Sequence, residues 1–213
     1  PRTLTAAVIL TVLLPNAGNF GLSANLFAFG EAGLREASLY FVSSSILTYT
    51  VGVLIASMGR LSPADALKNL VRVPALWAVP IGFLMARFQI ELPMPLDRTV
   101  NLLADACIPI FLLILGMQLS GARWKGRVAP MCAASLLRLV GGIVLAVAGT
   151  LLFGVEGAAR SSLIFQSAMP TAVITIILAT EYDAEPEFVT SVVILTTLLC
   201  PLTLTPLLAW LKG

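Results

Sequence analysis

Pro15-Asn16-Ala17-Gly18-Asn19-Phe20-Gly21 interrupts an otherwise aliphatic run that begins at Leu4. Pro15 donates no backbone hydrogen bond, and Gly18 and Gly21 weaken a helix further. At about 1.5 Å of rise per residue, Leu4 to Pro15 covers roughly 17 Å, so a run crossing a bilayer core about 30 Å thick is broken near its midplane. Bare backbone polar groups at that depth cost several kcal/mol each, and something must line the gap. Asn16 and Asn19 bring both donors and acceptors to it.

A second run repeats the device. Gln166-Ser167-Ala168-Met169-Pro170-Thr171 lies in a stretch starting at Ala158, which places Pro170 roughly 18 Å along it. Each break is followed by a further apolar span, and an odd number of crossings separates the two units, so they traverse the membrane in opposite senses. Such a pair describes inverted repeats whose discontinuous helices meet at a binding site. The half-helix after each break offers unpaired N–H groups and a partial positive charge, suited to the carboxylate of an anion. Ordinary proline kinks are the plain alternative; the matched Asn, Gln and Thr flanks favour the site.

Composition supplies the lipid. Hydrophobic residues make up 58% of the chain and charged ones 11%, with a mean hydropathy of +0.97, well outside soluble usage. About seven stretches reach the roughly 20 apolar residues a span requires: 4 to 29, 37 to 58, 73 to 90, 99 to 120, 129 to 154, 158 to 180 and 187 to 211. The expected fold class is therefore an all-α membrane protein.

Lys and Arg in the short loops set the orientation. One side carries Arg2, Arg60, Lys68, Arg72, Arg123, Lys125 and Arg127; the other carries Arg35, Arg87, Arg98, Arg160 and Lys212. The N-terminus is accordingly expected in the cytoplasm and the C-terminus outside, as in a bacterial inner membrane. Residues 61 to 72 read as a short surface helix capped by Ser62 with Pro63 at its first position. The chain starts at Pro1 and enters an apolar span at once, which is expected of a sequence whose natural N-terminus lies further upstream.

Several function classes are disfavoured. The sequence has no His, no HExxH and no GxSxG, which leaves little equipment for an enzyme. Its net charge of +2 comes from scattered cations, so no nucleic-acid partner is indicated. Cys107, Cys132 and Cys200 lack metal or disulfide spacing and read as packed, unreactive thiols, and no metal site is expected. A seven-helix receptor is the competing membrane reading, but the last span has no mid-membrane Lys for a retinal and the orientation is opposite to the usual receptor topology.

Asp105 and Arg138 are the charges inside spans, each costing roughly 2.5 to 3.5 kcal/mol on insertion scales. Their depths differ by about 9 Å on helical rise, so a direct ion pair needs tilt or a water. Separate roles are expected: Arg138 beside the substrate cavity or anchoring loop carbonyls, and Asp105 accepting a hydrogen bond between helices or coupling an ion. The Ser and Thr clusters at 43 to 45, 48 and 50, and at 196 and 197, read as interhelical glue.

These residues resemble the auxin efflux carrier family, which includes the plant PIN auxin carriers and bacterial carriers of malonate and related organic acids. The resemblance runs through Asn16 to Gly21, Phe29 to Gly33, Asp105-Ala106, Leu115 to Leu119, Arg138-Leu139, Gln166 to Val173 and Ala179 to Tyr182. It implies ten helices in two inverted five-helix repeats, with crossing broken helices fourth and ninth, the first three helices preceding this sequence. It also implies a moving transport part over 1 to 58 and 122 to 213, a scaffold part over 59 to 121, and a homodimer of the full-length protein. Substrate-binding roles fall to Asn16, Asn19, Gln166, Pro170, Thr171 and Arg138, and the helix breaks to Pro15, Gly18, Gly21 and Pro170. Thr171 and Val173 depart from the plant pattern. The implied partners are a small organic anion and the lipid bilayer; no cofactor is expected beyond a coupling proton or Na+, left open.

Overall fold

The computed structural model describes residues 2–57, 74–120 and 127–213. The expected surface helix at 61 to 72 lies outside the described residues. Within them every element is helical, and the one extended pairing is an isolated antiparallel bridge between Pro15 and Thr171. The protein is an all-α membrane protein.

Helix α1, Arg2–Leu13, stops where the coming Pro15 disfavours helical backbone at Leu14. The chain re-enters a helix through a wide π turn at Ala17–Leu22 and continues as α2, Ser23–Leu47. A second π turn, Thr48–Gly52, leads into α3, Val53–Ala56. Next come α4, Pro74–Phe88, and α5, Met94–Ser120. Helix α6, Val128–Leu136, runs through a third π turn, Leu137–Gly141, into α7, Gly142–Leu152. The second broken span is α8, Gly157–Ser167, and α9, Ile174–Glu181, interrupted at Pro170; α10, Pro186–Lys212, starts with proline at its first position, where no N–H is needed.

Among the described residues, four helical runs are long and apolar enough to cross a membrane: Ala17–Ala56, Met94–Met117, Val128–Leu152 and Pro186–Lys212. The sequence places a loop between the spans at 4 to 29 and 37 to 58, whereas the structure keeps helix through residues 31 to 36 and turns the chain at Gly30 alone, with φ 65° and ψ −157°. That backbone is essentially open only to glycine, so one residue replaces a loop.

Three packed clusters hold the broken spans. Ala7 of α1, Ala134 of α6 and Val189 and Val192 of α10 form one; Ile164 and Phe165 of α8 with Cys200 and Leu204 of α10 form another. Leu10 and Leu14 meet Val53, Ala172 and Leu178 in the third. By contrast most described side chains of α4 and α5 are exposed. Thr3 donates to Glu185 at 3.2 Å, and Arg160 lies 5.5 Å from the Trp210 ring centroid.

Two expectations need correction. Asp105 is exposed on α5 and stands apart from the buried Arg138, as expected, but it makes no hydrogen bond or ion pair with any described residue, so the expected acceptor bond between helices is not made among them. Cys200 is buried and Cys107 partly so, but Cys132 is exposed on α6: helical periodicity turns it outward beside the buried Met131, and an apolar neighbourhood in sequence does not distinguish lipid-facing from core positions.

Candidate functional site

A proline in a membrane helix frees carbonyls that lipid cannot satisfy. Here each break supplies what the other lacks. The Asn16 N–H donates to the Pro170 carbonyl at 2.7 Å, and the Ala172 N–H donates to the Leu14 carbonyl at 2.9 Å. The two interrupted segments thus cross as a short antiparallel pair. Thr171 strengthens the join, its hydroxyl donating to the Thr11 carbonyl at 2.8 Å and its N–H to Thr196 Oγ1 at 3.2 Å.

The crossing has two electrically different faces. On one, α1 and α8 end, and Arg138 meets both ends: Nη1 donates to the Val12 carbonyl at 2.8 Å and the Leu13 carbonyl at 3.4 Å, while Nη2 donates to the Ser167 carbonyl. A cation there answers the partial negative charge of helix C-termini. On the other face, the next half-helices begin, and Ala17 to Asn19 and Ala172 to Ile174 line a cavity of about 260 Å³ together with Phe41, Ser44, Ser45, Thr48, Tyr49 and Ile177. None of these described lining residues is charged.

Asn16 is the sharpest feature of this cavity. It is only 4% exposed, lines the space, and its side-chain Nδ2 has no hydrogen-bond partner among the described residues. A buried amide nitrogen without an acceptor is costly and rare.

Of the residues singled out in sequence, Pro15, Asn16, Gly18 and Asn19 line the cavity. Gln166 is fully buried behind it, where Nε2 donates to the Ala17 and Ala37 carbonyls at 3.3 Å each and so ties the first π turn to α2. Gly21 packs against that amide. Pro170 and Thr171 form the join itself, Arg138 stands on its far side, and Asp105 belongs to neither face.

Sequence reading missed one buried polar link. Ser162 of α8 donates to Asn25 Oδ1 at 2.8 Å and to the Gly33 carbonyl at 3.1 Å, and Asn25 Nδ2 donates to the Gly21 carbonyl at 2.8 Å. An Asn four residues after a glycine break was the available signal. In sequence Ser44, Ser45 and Thr48 read as glue between helices; Ser45 and Thr48 instead bond back to the Phe41 and Ser44 carbonyls of their own helical run, and all three line the cavity with Tyr49, which the sequence reading did not single out.

The family described as Membrane transport protein matches residues 56–208. An uncharacterized transporter of Methanocaldococcus jannaschii is 26% identical over 194 residues, covering 89% of this chain and 63% of that protein. A protein of Rhizobium meliloti, named provisionally as a malonate transporter, is 26% identical over 206 residues, covering 93% of this chain and 64% of its own length. Auxin efflux carrier component 6 of Arabidopsis thaliana is 24% identical over 137 residues, 60% of this chain and 23% of the plant protein. The chain therefore spans less than two thirds of the length of these relatives.

Proposed function

The chain belongs to the membrane transport protein family, and from that premise we propose that the whole protein carries small organic anions, malonate-like carboxylates or auxin-like acids, by alternating access around the crossing. The observation that carries this reading is the unpartnered Asn16 Nδ2 beside two helix N-termini in one uncharged cavity. A carboxylate seated there takes the Asn16 Nδ2 hydrogen and the first-turn N–H groups near Gly18 and Asn19. Phe41, Ile174 and Ile177 offer apolar contact to the rest of the molecule.

In this reading residues 1 to 58 and 122 to 213 move as the transport part against a scaffold of 59 to 121. The sparse burial of α4 and α5 supports the division, and their exposed apolar flank suits a homodimer contact. The membrane is a bacterial inner membrane with the N-terminal side of α1 facing the cytoplasm.

The test is uptake of labelled malonate and indole acetate by the full-length protein in liposomes. Asn16→Ala is expected to raise KM by about tenfold or more, the loss of one hydrogen bond to a charged group. Pro170→Ala is expected to impair transport at any substrate concentration. Unchanged transport in both variants refutes the site.

A further inference from the structure

Arg138 is 4% exposed, and all its hydrogen bonds to described residues go to neutral carbonyls: those of Val12 and Leu13 at the end of α1 and of Ser167 at the end of α8. No described carboxylate accepts from it. A buried cation without a counter-ion is strongly disfavoured unless its surroundings supply negative charge. Here they do. Each helix C-terminus carries roughly half an elementary negative charge, so two ends together balance about one monovalent cation.

Half-helix C-termini and unwound carbonyls are the groups that hold small coupling cations in carriers built on broken helices. The site in this chain has that make-up, yet it is filled by a side chain from a third element. The filling is built in: Arg138 projects from the π turn Leu137–Gly141, and Gly142, one turn on, is bare where a Cβ would strike the Ser167 carbonyl and Nη2 of Arg138. Both the wide turn and the glycine bring the guanidinium between the two ends.

We propose that Arg138 is a resident stand-in for a coupling cation: a positioning residue whose fixed charge holds the two broken ends together, so that no monovalent ion from solution occupies this place. This deepens the carrier reading and rests on it where transport is concerned. It assigns to the empty site, once Arg138 is shortened, a ligand class: a small monovalent cation, guanidinium above all, then Na+.

The experiment compares wild type, Arg138→Ala and Arg138→Lys in the full-length protein. Liposome uptake is measured in choline, Na+ and guanidinium media, and thermal unfolding in detergent is measured in the same three. In choline, Arg138→Ala is expected to lose at least about tenfold in transport rate, while Arg138→Lys keeps most of it. Guanidinium is expected to restore Arg138→Ala saturably and to raise its unfolding temperature, with no such effect on wild type. Arg138→Ala that transports normally in choline, or that neither recovers nor gains stability in guanidinium and Na+, overturns the proposal. The unfolding arm needs no cargo, so saturable guanidinium binding by Arg138→Ala alongside a wild type that moves neither anion would count against the carrier reading and for the cation site.

Discussion

Gly21 lies against the side-chain amide of Gln166 so closely that a methyl group at position 21 would overlap Oε1 and stand 2.9 Å from Cδ. The amide has nowhere to retreat, because its Nε2 is fixed by the Ala17 and Ala37 carbonyls. Gly21→Ala is therefore expected to destabilise the protein by about 1–3 kcal/mol through overpacking. Adding Gln166→Ala should recover part of that loss. Thermal unfolding of both variants in detergent, read as a double-mutant cycle, checks the coupling.

Thr196 and Thr197 are adjacent in sequence and differ in what depends on them. Both hydroxyls bond back to carbonyls of their own helix, but only Thr196 Oγ1 also accepts the Thr171 N–H. Thr196→Val strands a buried backbone donor in the join and should cost about 1–3 kcal/mol. Thr197→Val should cost less than half as much. Unfolding midpoints of the two variants, measured side by side, decide it.

At Gly30 the strain lies in the backbone and not in the space, since a Cβ would meet nothing within 4 Å. With φ 65° and ψ −157°, outside the left-handed helical region that Asn tolerates, Gly30→Ala and Gly30→Asn should be similarly harmful, by about 1–3 kcal/mol each. A clearly milder effect of Asn in the same unfolding assay would show that the bend relaxes to another conformation.

Cys200 is fully buried between α8 and α10, whereas Cys132 is exposed. In detergent, a thiol-reactive fluorophore should label Cys132 in the folded protein and Cys200 only through the unfolding transition. Mass spectrometry of the labelled peptides across a temperature series checks the order.

The breaks were readable because proline and glycine act through the backbone, whatever surrounds them. Depth arithmetic put Pro15 and Pro170 at matching levels, and the rungs at Asn16 and Ala172 show the two segments joined. The π turns were not readable: an i to i+5 hydrogen bond inserts one residue without any composition of its own, and it is this that carries Arg138 to the helix ends. Gln166 was recognisable as polar and deep, but which carbonyls it meets depends on how α2 packs over α8. Asp105 was legible as an intramembrane charge. Its surroundings are not set by its own helix, but the difference in depth read from helical rise, which set it apart from Arg138, agrees with the two making no contact.

The rungs between Leu14 and Ala172 and between Asn16 and Pro170 are made of main chain on both sides. Such a seam is indifferent to most side chains, whereas the chamber beside it is walled in part by side chains of α2 and the second π turn. Asn16 and Ala172 belong to both seam and chamber, but Phe41, Ser44, Ser45 and Thr48 belong to the chamber alone, so on the proposed carrier reading these four positions are free to change with the solute while the rungs stay as they are.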